Sequence, residues 1–66
     1  MKNTIKVERA KKDITQADLA DAIGVSRQTI NAMEAGKYVP STLLSLKIAR
    51  YFGVKVEDIF MLEPGD

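Results

Sequence analysis

Apolar positions along the chain recur at helical spacing, and glycine and proline cut them into short lengths. Leu19, Ala20 and Ile23, with Ala22 at the edge, make one side of a helix over Gln16 to Ile23. Ile30 and Met33, with part of the Glu34 stem, do the same for a helix that follows Ser26. Gly24, Gly36, Pro40, Gly53 and Pro64-Gly65 are the breakers. Before them, Ile5, Arg9 and Ile14 belong with a first helix from about Thr4 to Asp13, whose outer face carries Lys6, Lys11 and Lys12. Beyond Pro40, Ser41 or Thr42 caps a fourth helix that offers Leu43, Leu46, Ile48, Ala49 and Phe52 for burial. Val54, Val56, Ile59 and Phe60 supply a short fifth. Lys2 to Thr4 and Met61 to Glu63 can run extended and pair as a two-stranded ribbon beside the bundle. The pattern predicts an all-α fold of five helices, each too short to persist alone, so tertiary packing must hold them.

Local chemistry sharpens the middle of the chain. Thr15 reads as an N-cap with Asp18 three residues on, a shorter relative of the capping-box Glu, and Gly24 ends the helix by entering the left-handed region. Ser26 caps the next helix and Gly36 stops it. Residues 16–35 therefore fit a helix-turn-helix, with small Ala20 where two steeply crossing helices approach and the second helix, about 27–35, shaped to enter a major groove. Its leading turn holds Arg27, Gln28 and Thr29. An Arg suits guanine O6 and N7, a Gln suits adenine N6 and N7, and a Thr methyl can touch the thymine methyl. Gln16, first in the bracing helix, can reach a phosphate, and Ser26, Asn31, Lys37 and Tyr38 flank the reading helix with further donors.

Composition narrows the alternatives. The chain has 66 residues, 45% apolar and 29% charged, with no Cys, His or Trp. At that size only about 60% of the unfolded surface is buried on folding, so one domain over 1–66 with one small core is expected. Without Cys or His, thiol chemistry, the common zinc sites and the usual near-neutral general base are gone. Nine scattered carboxylates form no evident pair, so an enzyme is not expected. Apolar runs reach only Ile59-Phe60-Met61-Leu62, far short of the roughly 20 residues of a membrane span, which points to a soluble cytoplasmic protein. Net charge is +1, too small to imply nucleic acid by itself, and it leans basic in the part up to Lys37.

The chain resembles the Cro/C1-type helix-turn-helix family of phage repressors and small bacterial or archaeal regulators, over nearly its whole length and in the stand-alone, single-domain form. Arg9, Ile14-Thr15-Gln16, Leu19-Ala20, Gly24 through Ile30, Glu34, Gly36, Pro40-Ser41, Leu46, Ile48-Ala49, Val54 and Glu57 through Phe60 carry the resemblance. It implies a transcriptional regulator, a repressor or an activator, that binds a two-fold symmetric double-stranded DNA operator as a homodimer without a cofactor. The family's base-reading positions fall on Arg27, Gln28 and Ala32, its phosphate contacts on Gln16, Asn31 and the Lys37-Tyr38 loop. The resemblance further implies a partly buried ion pair between Arg9 and Glu34. Two departures stand out: Ala32 is small where relatives carry a long polar reader, and Glu8 sits where they commonly place an apolar residue. The second suggests that Val7 takes over packing or that the first helix is slightly rotated.

A half-site of about four or five base pairs cannot single out a target among roughly a million or more competing sites, which also calls for a dimer. Its expected surface is Tyr51 with Phe60, Met61 and Leu62, since a run of apolar residues at a helix end cannot all face one small core. No small-molecule ligand is evident. A different class of function remains beside this one, an antitoxin-like adaptor that binds a partner protein with the same fold.

Overall fold

The computed structural model describes residues 1–66. In chain order these are β1 (Lys2–Asn3), α1 (Ile5–Lys12), α2 (Gln16–Ile23), α3 (Arg27–Glu34), α4 (Thr42–Phe52), α5 (Val56–Ile59) and β2 (Phe60–Met61). Five helices thus pack with a short antiparallel ribbon in which Lys2 lies opposite Met61 and Asn3 opposite Phe60.

Each helix end has a local cause. Thr15 Oγ1 accepts from the Asp18 amide at 3.0 Å while Asp18 Oδ2 accepts from the Thr15 amide at 3.0 Å, a reciprocal capping box. The Ser26 and Ser41 hydroxyls accept from the amides of Thr29 and Leu44, so Ser41 caps α4. Gly24 and Gly53 close α2 and α4 at φ 77° and 69°, where a side chain would be strained. Thr4 precedes α1 with no side-chain cap; the Asn3 Oδ1 accepts from the Ile5 amide at 3.2 Å. Asn3 Nδ2 also donates to the Met33 carbonyl at 2.7 Å, tying the ribbon to the last turn of α3.

Ile5, Leu19, Ile30, Met33, Ile48 and Ile59 are the large side chains fully withdrawn from solvent, and Ala20, Ile23, Leu44, Ala49 and Phe60 complete the core. In α4 the inward face differs from the expected one. Leu44, Ser45, Ile48 and Ala49 are buried, with Phe52 packed at the margin, whereas Leu43 and Leu46 stay 65% and 54% exposed. At about 100° per residue, positions 44, 45, 48, 49 and 52 share one arc, and 43 and 46 fall outside it. Ser45 is only 9% exposed despite its hydroxyl.

α1 gives a second correction. Val7 does not take over packing: it is largely exposed, and only Ile5 of this helix is fully buried. Glu8 keeps its position by turning its carboxylate to Lys11 Nζ, 3.1 Å away. Phe60, expected on an intermolecular surface, is only 7% exposed and belongs to the core. The turn from α5 into the ribbon carries it inward next to Ile59.

Candidate nucleic-acid interface

The two helices of the motif are joined by a turn fixed from the backbone. The Gly24 and Val25 amides both donate to the Ala20 carbonyl, at 2.9 and 3.0 Å. Ser26 then starts α3, and Ile30 and Met33 anchor it in the core. That anchoring decides which side chains face outward. Arg27, Gln28 and Asn31 are exposed, while Thr29 and Ala32 are half-buried.

Gln16, Arg27, Gln28 and Asn31 line a shared concavity of about 300 Å³ that contains no apolar residue. Residues from the start of α2 and the first five positions of α3 thus meet on one polar surface. Thr29 stands differently from its neighbours, since its hydroxyl lies 2.9 Å from the Ser26 hydroxyl and shares in the cap. Ser26 is likewise engaged, accepting from the Thr29 amide at 3.1 Å. At the far end of α3, the Lys37 amide donates to the Ala32 carbonyl, and the Lys37 and Tyr38 side chains project from the following loop, both exposed.

Behind this surface, Arg9 and Glu34 form a two-point ion pair. Arg9 Nε donates to Glu34 Oε2 at 2.6 Å and Nη2 to Oε1 at 3.0 Å, with side chains 15% and 8% exposed. The remaining nitrogen, Nη1, donates to the Ile14 carbonyl at 3.0 Å. Burial pushes the Glu34 carboxyl up, but hydrogen bonds from Arg9 and Gln16 and the charges of Arg9 and Lys6 outweigh it and hold the group below its ordinary 4.5. The Glu34 hydrogen bonds raise Arg9 further against its own burial. Asp18 is held low by its bonds to the Thr15 backbone and side chain.

The remaining expected positions are scattered. Tyr51 borders a concavity with Ala22, Ile23, Lys47 and Arg50, and Lys12 Nζ lies 5.3 Å over its ring. Phe60 borders a different one, of about 430 Å³, with Val39, Pro40, Leu46 and Val56 among its walls. Tyr51 and Phe60 thus border separate concavities. Met61 is partly covered in the ribbon and Leu62 is exposed. The apolar walls Val39, Leu46 and Val56 were not anticipated as a group. The signal for Leu46 lay in the apolar spacing of α4, which left more candidates than one face can bury.

No group of Asp and Glu is placed to hold a metal ion. No helix is long and apolar enough to cross a membrane.

A helix-turn-helix family model matches residues 5–59, from the first residue of α1 to the last of α5. The chain is 60% identical over 63 residues to an uncharacterized HTH-type transcriptional regulator of Methanocaldococcus jannaschii, covering 96% of each. It is 51% identical over 63 residues to the uncharacterized HTH-type transcriptional regulator YgzD of Bacillus subtilis, again covering 96% of each. A 10 kDa protein of the ImmF control region of Bacillus phage phi105 is 34% identical over 59 residues, 89% of this chain and 66% of the phage protein. With the motif geometry of α2 and α3, these matches establish that the chain belongs to the helix-turn-helix family of transcriptional regulators.

Proposed function

We propose that the protein binds double-stranded DNA sequence-specifically as a homodimer and acts as a transcriptional repressor on a palindromic operator. The observation that carries this reading is the polar surface shared by Gln16, Arg27, Gln28 and Asn31. Arg27 and Gln28 are the base readers, since they stand exposed in the leading turn of a helix whose other side is fixed in the core. The Thr29 methyl and Ala32 are secondary apolar contacts. Gln16, Ser26, Asn31, Lys37 and Tyr38 hold the DNA backbone and set the register of the reading helix.

Dimer formation rests on the exposed apolar side chains around the concavity that Val39, Pro40, Leu46 and Val56 border. Met61 and Leu62 remain interface residues in this reading, and buried Phe60 lines the concavity itself. Selection of bound duplexes from a random pool, followed by footprinting, tests the whole proposal. The expected result is a two-fold symmetric site with half-site centres about 34 Å apart. Enrichment of no sequence, or of a lone asymmetric half-site, would reject it.

A further inference from the structure

Glu34 Oε1 accepts from two donors at once, Arg9 Nη2 at 3.0 Å and Gln16 Nε2 at 3.1 Å. The first bond belongs to the ion pair between α1 and α3. The second crosses to the opening residue of α2, which also lines the polar concavity with Arg27, Gln28 and Asn31. We infer that Glu34 is a positioning residue for DNA binding: its carboxylate holds the Gln16 side-chain amide in the orientation that meets a backbone phosphate. This rests on the role proposed above for Gln16.

The chemistry of the two groups fixes the orientation. A carboxylate only accepts hydrogen bonds, so Gln16 must turn its nitrogen toward Glu34. One N–H is committed to that bond and the second remains available to an acceptor on the outer surface. A free glutamine side chain would have to be ordered as the complex forms, at a cost in rotamer entropy. Held by Glu34, it is ordered beforehand. Arg9 is essential to the device, because a bare carboxylate at this distance from a phosphate contact would repel it. Paired at two points with Arg9, Glu34 supplies the acceptor while its charge is balanced.

The test separates positioning from support of the fold. Replacing Glu34 alone leaves Arg9 unpaired and can unfold the chain, so the pair is replaced together as Arg9→Met with Glu34→Met, an apolar exchange of the kind that commonly retains stability. Affinity is measured on a duplex selected from the random pool, with the folded fraction of every variant followed by circular dichroism. Gln16→Ala alone should weaken binding about a hundredfold, the size of two hydrogen bonds to charged groups, one from each protomer of the dimer. The Arg9→Met/Glu34→Met chain should weaken it by a similar factor while remaining folded, and adding Gln16→Ala to that chain should cost less than about twofold more. If the two losses multiply in the triple variant, or if the folded paired variant binds as tightly as the wild type while Gln16→Ala is weak, the positioning role is overturned. If Gln16→Ala itself binds as the wild type does, the phosphate role falls and the positioning role with it. Should the paired variant not fold, Arg9→Lys/Glu34→Asp, which keeps the charges and shortens the reach to Gln16, takes its place under the same criteria.

Discussion

Arg9 and Glu34 join the first helix to the last turn of the reading helix through two parallel hydrogen bonds, of 2.6 and 3.0 Å, at a point where both side chains are largely covered. Every nitrogen of the Arg9 guanidinium has a partner, the third being the Ile14 carbonyl just ahead of the α2 cap. A pair so placed differs from an exposed one, because removing either member strands a charge with little water to solvate it. Replacing Arg9 or Glu34 singly by Ala should cost about 2 to 4 kcal/mol in stability. A double-mutant cycle in urea checks this, and a coupling below about 0.5 kcal/mol would mean that solvent screens the pair.

Acid should weaken the fold in a defined window. Glu34 and Asp18 both titrate below their ordinary values of 4.5 and 3.8 in the folded chain. A carboxyl depressed on folding contributes stability that is complete above its unfolded value and lost as pH falls through its folded one. The urea midpoint should therefore hold steady from about pH 7 to pH 5.5 and decline below about pH 4.5. Glu34→Gln should flatten the decline more than Asp18→Asn, since Asp18 is exposed. An unchanged slope in Glu34→Gln would remove this group as a source of acid sensitivity.

Arg27→Ala or Gln28→Ala should cost about 1 to 3 kcal/mol on the selected duplex and relax preference at one or two base positions. Binding assays on specific and random duplexes decide the role. Equal losses on both would reassign these residues to the DNA backbone.

Salt dependence should follow the few cations on the proposed surface. In a dimer, Lys37 is the one cation proposed to meet a phosphate, and its two copies would release about two counterions, so affinity should fall roughly tenfold between about 50 and 200 mM salt. Lys37→Gln should reduce the slope of log affinity against log salt by about 2 per dimer. Constant affinity over that range would show that Lys37 does not meet a phosphate.

The burial of Phe60 changes what an interface mutation can reveal. Phe60→Asp places a charge in the core and should unfold the chain rather than yield a folded monomer. Leu46→Glu, at a side chain 54% exposed, should leave the helical circular dichroism intact and shift sedimentation from dimer to monomer. A Leu46→Glu chain that still sediments as a dimer would move the interface elsewhere.

The sequence by itself determined the features that depend on neighbours within about four residues. The Thr15–Asp18 box, the Ser26 cap and the glycine ends at 24 and 53 were legible because each is a hydrogen bond or a backbone conformation set by adjacent side chains. The spacing from Gln16 to Met33 likewise marked two helices, and the fixed inward direction of Ile30 and Met33 left Arg27, Gln28 and Asn31 outside. Tertiary structure decided what depends on distant partners. α4 carries apolar residues on more than one side, and only packing against α2 and α5 selected Leu44 and Ser45 over Leu43 and Leu46. The ribbon pairs Asn3 with Phe60 across nearly the whole chain, and its closure turns Phe60 into the core. The Gln16–Glu34 bond joins residues 18 apart on different helices. No local propensity encodes such a contact, because it exists only once the crossing of α2 and α3 and the Arg9 pair have brought the amide and the carboxylate within reach.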